Sequence, residues 1–209
     1  MSLKSVSETR LMPVAVIPTL ESAVPLANAL LEAGLPHIEI TLRTECALDA
    51  MRAIRKECPE MTVGAGTILD PEVIPELVDM GVEFGVSPGL NPSVIEKAQN
   101  LNFLMIPGVI TPGEVERGLS MGLKLLKFFP AEAAGGAKML KALAGPYGHT
   151  GIKFVPTGGI NAGNAQAYLD LGVTEAIGGS WFVDQKLVAA GDFAAIRSLT
   201  TEALQLTKS

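Results

Sequence analysis

Short runs rich in β-branched and apolar residues alternate along this chain with longer segments of helical period. The strand-like runs are 14–17, 37–41, 62–65, 84–86, 103–106, 125–129, 153–156 and 175–177. Helices are expected to begin near Glu21, Glu45, Pro71, Pro92, Pro112, Ala137 and Asn161, with more helix after the last run. Three of those starts place a proline directly after Asp70, Asn91 or Thr111, the cap-then-proline signature of a helix N-terminus. The phrase apolar-Gly-apolar recurs at Gly34, Gly81, Gly122 and Gly172, at intervals of 40–50 residues. Each glycine is expected to end a helix just before a strand, where a left-handed residue closes the last turn. Eight βα units without a linker or low-complexity stretch predict a single (β/α)8 TIM barrel over residues 1–209. A doubly wound dinucleotide fold has little support, since no GxGxxG follows the first run.

In such a barrel the chemistry sits at the C-terminal strand ends. In the second run Glu39, Thr41 and Arg43 share one parity and Ile38, Ile40 and Leu42 the other. Strand side chains alternate between faces, so the apolar set goes outward under the helices and the polar set inward. A structural Glu–Arg pair that satisfies itself is the plainer account of the same pattern. In the sixth run Leu125, Lys127 and Phe129 share a parity, which points Lys127 into the same interior. Lysine is almost never fully buried unless paired or functional. Desolvation disfavours the ammonium, and an amine of that kind forms Schiff bases with carbonyl substrates. A salt bridge from Lys127 to Glu39 predicts the same proximity.

Pro156-Thr157-Gly158-Gly159 ends the seventh run and Gly178-Gly179-Ser180 the eighth. Glycine-rich turns beside helix N-termini make an anion cradle, and the loops after strands 7 and 8 are the usual phosphate site of this architecture. Gly64-Ala65-Gly66-Thr67 and Ser87-Pro88-Gly89 end the third and fourth runs; Thr67 offers a hydroxyl to a ligand carboxylate, tight turns are the alternative for both, and for Ser87-Pro88-Gly89 they account for the pattern equally well. Trp181 reads as a packing anchor.

Composition narrows the class. Of 209 residues, 48% are hydrophobic and 18% charged, which excludes a disordered chain. The charged share falls below the usual roughly 25%, as it does where a partner subunit covers part of the surface. A net charge of −6 without a Lys/Arg cluster argues against a nucleic-acid partner. No apolar run approaches the roughly 20 residues that span a bilayer, so no membrane partner is expected. The polar segment 1–10 lacks the apolar core of a secretory signal. Cys46 and Cys58 are expected at about 18 Å along one helix, too far to bridge, as free thiols of a reducing cytoplasm. No His/Cys/Asp/Glu cluster has metal-ligand spacing.

Taken in order, Glu39-Ile-Thr-Leu-Arg43-Thr-Glu, Gly64-Ala-Gly-Thr67, Ser87-Pro-Gly, Lys127-Phe-Phe-Pro-Ala-Glu132, Pro156-Thr-Gly-Gly and Gly178-Gly-Ser-Trp resemble the bacterial 2-keto-3-deoxy-6-phosphogluconate (KDPG) aldolases. That family includes 4-hydroxy-2-oxoglutarate (KHG) aldolases. The resemblance runs from about Pro13 to the last helix. It implies a cytoplasmic, trimeric class I aldolase with no metal and no cofactor, acting on a phosphorylated 2-keto-3-deoxy sugar acid and releasing pyruvate. By position it implies Lys127 as the Schiff-base lysine and Glu39 as the general acid/base. Arg43 and Thr67 match the holders of the pyruvate carboxylate, Pro88 and Phe129 the pocket wall, and Thr157 falls with the substrate-binding set. Gly158, Gly159, Gly179 and Ser180 match the phosphate-binding positions. An aldolase acting mainly on 4-hydroxy-2-oxoglutarate and a catalytically silent sugar-phosphate-binding barrel are the competing readings.

Overall fold

The structure is a computed structural model that describes residues 3–208; Met1, Ser2 and Ser209, which fall within the expected domain, lie outside the described residues. In chain order the elements are α1 (Lys4–Thr9), β1 (Leu11–Ala15), α2 (Ala23–Glu32), β2 (His37–Thr41), α3 (Ala47–Glu57), β3 (Thr62–Gly66), α4 (Ile74–Asp79), β4 (Phe84–Val86), α5 (Pro92–Asn100), β5 (Leu104–Ile106), β6 (Gly108–Val109), α6 (Pro112–Ser120), β7 (Leu125–Phe128), α7 (Gly136–Ala144), β8 (Lys153–Pro156), α8 (Ala165–Leu169), β9 (Ile177–Gly179), α9 (Gln185–Ala190) and α10 (Phe193–Leu206). All strand pairs are parallel, forming one six-stranded sheet in the order β5-β4-β3-β2-β1-β9 and one of three strands, β6-β7-β8.

The capping grammar acts as expected. Asp70 and Asn91 accept from the backbone N–H two residues on, and Thr111 forms a reciprocal capping box with Glu114. Gly34, Gly81 and Gly122 adopt the expected left-handed conformation. Gly172 does not: α8 is a single short turn that ends on right-handed Asp170, and the chain reaches β9 through a turn from Leu171 to Thr174. Asn102, with φ of 52°, takes the left-handed position between α5 and β5.

Strand boundaries depart from the pattern where proline or glycine hides it. β1 begins three residues early because Pro13, in register with Gly179, interrupts the apolar signal without leaving the sheet. β9 runs through the Gly178-Gly179 pair rather than stopping before it. The fifth run stops at Ile106 as β5, and beyond Pro107 the chain adds β6, which the pattern does not mark, so that β5 pairs with β4 while β6 pairs with β7. α8 starts four residues later than expected, because Asn161 and Asn164 tie their segment into a hydrogen-bonded turn.

Two apolar layers result. Ile38, Ile40, Leu126 and Phe128 pack outward into the helix–sheet core with Leu30, Met51 and Leu140, as strand parity requires. Full burial of each such side chain stabilises by roughly 1.5–3 kcal/mol. A smaller inner cluster joins Met12, Phe84, Val86, Ile106 and Val155 with Val6 of α1. That first helix, carried by a segment with only Leu3 and Val6 to signal it, fills the N-terminal end of the strands. Cys46 and Cys58 flank α3 as free thiols. Among the described residues no helix is long and apolar enough to cross a membrane.

His37 gives the fold a pH dependence. Its Nε2 lies 2.6 Å from the Leu11 carbonyl and therefore carries the proton, while Nδ1 is buried without a partner. Burial pulls its pKa down to about 4, against the raising effect of the Leu11 hydrogen bond. Between pH 6.5 and about 4 the unfolded chain binds a proton that the folded one refuses, so stability falls as pH drops through that window. The neutral ring accounts for about 3 kcal/mol of that change. Urea unfolding at pH 7 and pH 4.5 is expected to show a smaller loss for His37→Gln than for the parent chain; equal losses would remove His37 from the linkage.

Candidate active site

The polar face of β2 delivers its residues to the C-terminal end of the sheet. Glu39 is 2% exposed and Lys127, from β7, is 6% exposed. Their side chains meet at 3.7 Å between Nζ and Oε1, an ion-pair separation longer than a hydrogen bond. Glu39 Oε1 is thus buried with no hydrogen-bond partner, free to engage a ligand proton. Burial pushes the Glu39 carboxyl above its ordinary range; Lys127, and less strongly Arg43, pull it back. The net rise shows desolvation winning over both cations. Lys127 Nζ also lies 5.1 Å from the Phe129 ring centroid.

The backbone beneath this pair explains a glycine. A Cβ on Gly66 would stand 2.2 Å from Glu39 Oε1, so β3 has to present bare backbone where the carboxylate lies. Immediately after it Thr67 holds a left-handed conformation, φ of 62°, rare for a β-branched residue. Such strain persists where surrounding structure over-determines it, often at a site.

Beside the pair opens a cavity of about 160 Å³ lined by Val14, Arg43, Phe129, Thr157, Gly158, Gly159, Ile160, Gly178, Gly179 and Ser180. Seven of the candidate site residues therefore converge here, Gly179 from β9 and the others from the segments just after β2, β7, β8 and β9, while Lys127 and Glu39 adjoin this wall through Phe129 and Arg43 without lining it. Pro88 instead lines a neighbouring hollow of about 280 Å³ with Ser87 and Leu90, and Thr67 lines neither. A roomier hollow of about 290 Å³, with Leu3, Lys124 and Lys153, lies at the opposite, N-terminal end of the strands and touches none of these groups.

Arg43 is exposed, yet its direction is set: Nε donates to the Thr41 hydroxyl at 3.2 Å, and that hydroxyl donates to the Ala15 carbonyl at 3.1 Å. Thr41 was visible in the sequence only as one more polar residue on the face; its partner on β1 became apparent once the strands were paired. Gly158 and Gly159, with φ of 101° and 79°, form a turn whose carbonyls are occupied from outside. Ala131 N–H donates to Thr157 O, Glu132 N–H to Gly158 O, and the side-chain Nδ2 groups of Asn161 and Asn164 to Gly159 O. In a planar trans peptide the N–H points opposite to its carbonyl. The N–H groups of Gly158, Gly159 and Ile160 are thereby turned away from those partners. Trp181 packs its ring against Gly179, leaving no room for a Cβ, and sits edge-on to Phe182 at 4.8 Å.

Fold and site together define a parallel α/β enzyme in which a buried amine faces a buried carboxyl beside a glycine-walled cavity. Residues 3–199 match the family described as KDPG and KHG aldolase. The chain is 46% identical over 197 residues to the KHG/KDPG aldolase of Escherichia coli K12, covering 94% of this chain and 92% of that protein. It is 44% identical to the 2-dehydro-3-deoxy-phosphogluconate aldolase of Dickeya dadantii, covering 92% and 90%. Among solved structures, the KDPG aldolase of Legionella pneumophila, with pyruvate captured as a covalent carbinolamine, superposes with a TM-score of 0.91 at 38% identity over 95% and 96% of the two chains. The Zymomonas mobilis KDPG aldolase with 3-phosphoglycerate gives 0.86 at 39% identity over 97% and 96%. The chain belongs to the KDPG and KHG aldolase family.

Proposed function

We propose that this aldolase cleaves 2-keto-3-deoxy-6-phosphogluconate to pyruvate and glyceraldehyde 3-phosphate through a Schiff base on Lys127, and also takes 4-hydroxy-2-oxoglutarate to pyruvate and glyoxylate. The observation that carries this reading is the 3.7 Å pairing of buried Lys127 with buried Glu39, whose neighbours Phe129 and Arg43 line the glycine-walled cavity. A lone binding site for a sugar phosphate has no use for either group.

Lys127 attacks C2 of the keto acid as the free amine; a proton from solvent carries the carbinolamine hydroxyl off as water and leaves a protonated imine. Glu39, as carboxylate, takes the proton of the C4 hydroxyl. The C3–C4 bond breaks, its electron pair enters the imine to form an enamine, and the aldehyde departs. Glu39 then returns the proton to C3, and a water that adds to C2 of the protonated imine frees pyruvate and the Lys127 amine, giving back the proton taken from solvent. A carboxyl whose proton affinity is raised by burial suits both halves of that exchange. Arg43 holds the substrate carboxylate through its two-pronged guanidinium, joined by Thr67. Phe129 and Thr157 wall the cavity, and Pro88 walls the neighbouring hollow. The turned N–H groups around Gly158 and Gly159, with Gly179 and Ser180, receive the phosphate, so that remote binding energy orients the reacting bond.

The architecture we assign is a closed (β/α)8 barrel acting as one domain. Its support is the break at Pro107, which makes β5 and β6 one bent strand across both sheets, and the isolated parallel bridges Phe154–Thr174 and Thr157–Gly178, which join the chain around β8 to the chain around β9. We also assign a cytoplasmic homotrimer, on the family resemblance, the free thiols and the low charged fraction. Sedimentation equilibrium is expected to give three times the 21.8 kDa chain mass.

Borohydride reduction in the presence of pyruvate, followed by peptide mass spectrometry, tests the central step. A reduced pyruvyl adduct on Lys127 is expected; absence of any adduct from folded protein, beside an aldolase control, would leave the silent binding barrel. Ser180→Ala is expected to raise KM for the phosphorylated substrate by about 10- to 100-fold, the worth of one hydrogen bond to a charged group, and to raise that for 4-hydroxy-2-oxoglutarate less. Equal effects on the two substrates would remove the phosphate assignment.

A further inference from the structure

Behind the cavity lies a polar pair that the reaction itself does not use. Tyr168, on α8, is fully buried, and its hydroxyl donates to Oε1 of Glu132. Burial first, then the Glu132 carboxylate, hold the phenol in its protonated, donating form. Glu132 lies five residues beyond Lys127, in a compact segment closed by Ala134 N–H to Pro130 O and Gly136 N–H to Ala131 O, both 3.0 Å. Its backbone N–H donates to the Gly158 carbonyl at 3.0 Å. Its aliphatic stem fills the space beside Gly159, where a Cβ would come within 2.7 Å. The carboxylate–phenol contact is backed by Gly136, whose missing Cβ would stand 3.3 Å from Glu132 Oε1 and 3.6 Å from the Tyr168 hydroxyl.

These contacts make a closed circuit. The chain runs from Lys127 through Phe129 to Glu132, crosses by hydrogen bond to Gly158, continues through Asn161 and Asn164 into α8, and returns from Tyr168 to Glu132. Cutting the Tyr168–Glu132 link leaves the Gly158 contact to two backbone hydrogen bonds on an exposed turn.

We propose that Glu132 and Tyr168 are positioning residues for the phosphate end of the substrate: their hydrogen bond fixes the glycine turn at 158–159 relative to Lys127, so that a phosphate held there brings C2 to the amine. The proposal rests on the phosphate assignment made above. Neither residue touches the reacting atoms, and a substrate without phosphate gains nothing from the link.

The test compares kcat/KM for 2-keto-3-deoxy-6-phosphogluconate and 4-hydroxy-2-oxoglutarate in Tyr168→Phe, Glu132→Ala and Glu132→Gln. Tyr168→Phe and Glu132→Ala are expected to lower the ratio of the two by roughly three- to tenfold, through KM for the phosphorylated substrate, with adduct formation from pyruvate unchanged. Glu132→Gln keeps an acceptor for the phenol and is expected to retain the parent ratio. Because Glu132 is exposed, Glu132→Ala also serves if Tyr168→Phe disturbs folding. Equal losses on both substrates, or an unchanged ratio, would overturn the proposal. Ser180→Ala measured alongside separates the two failures. If it lowers the ratio and the pair does not, the positioning role is wrong; if neither lowers it, the phosphate assignment is wrong and the proposal falls with it.

Discussion

Lys127→Met abolishes turnover and leaves the fold in place. Methionine nearly matches the length of the lysine stem and suits a site that is 6% exposed, so packing against the neighbouring strands is kept. What disappears is the amine, and with it the covalent route; loss of a nucleophile of this kind costs at least about 10⁴-fold in kcat/KM. A coupled pyruvate assay and the borohydride adduct read the loss, and far-UV circular dichroism reads the fold. The variant carries a second signature. Removing Lys127 takes away the strongest opposition to the burial that already raises Glu39. Folded Glu39 then stays protonated to higher pH while the unfolded chain ionises near 4.5. A group raised in the folded state stabilises below its unfolded pKa and loses that contribution as pH climbs toward the folded one. The melting temperature of Lys127→Met is therefore expected to fall between pH 5 and pH 8 more steeply than that of the parent. Residual turnover above one part in 10⁴, or a chain unfolded even at pH 5, would make the lysine structural.

Glu39→Gln slows cleavage by roughly 10²–10⁴-fold, the usual worth of a positioned acid/base. Glutamine fills the same volume beneath Gly66 and still bonds to a hydroxyl, but cannot carry a proton to C3. The expected pattern is specific: pyruvate still forms a reducible adduct on Lys127, while exchange of the pyruvate methyl protons with deuterated water, followed by NMR, drops with kcat. Exchange at the parent rate would move proton transfer to another group. Loss of the adduct as well would assign Glu39 to imine formation rather than to bond cleavage.

Much of this site is legible in the order of residues alone. The alternation in 37–41 put Glu39 on the inward face, that in 125–129 did the same for Lys127, and β2, β4 and β8 run over the very residues the pattern marks. The glycine pairs at 158–159 and 178–179 do line one cavity. Other parts had no local signal. The helix α1 rests on one buried valine, too little for a period to emerge. Arg43 was expected inside with Glu39; it is exposed and tethered through Thr41 to a carbonyl of the preceding strand. Gly66 read as turn chemistry and proves to be a gap left for a carboxylate. Glu132 stood in plain view within Lys-Phe-Phe-Pro-Ala-Glu, but its partner Tyr168 lies 36 residues away in a segment that reads as ordinary helix.

By itself, then, the chain's order of residues determined the faces: period-2 alternation and capping residues act within a few positions, and they settle which side chains leave the backbone toward the sheet interior. Which of those faces oppose one another was decided by the tertiary structure alone. The 3.7 Å between Lys127 and Glu39 spans 88 residues of chain and depends on the curl of two parallel sheets brought edge to edge. Sheet twist and helix packing are summed over every strand between them, and no short window of sequence carries that sum.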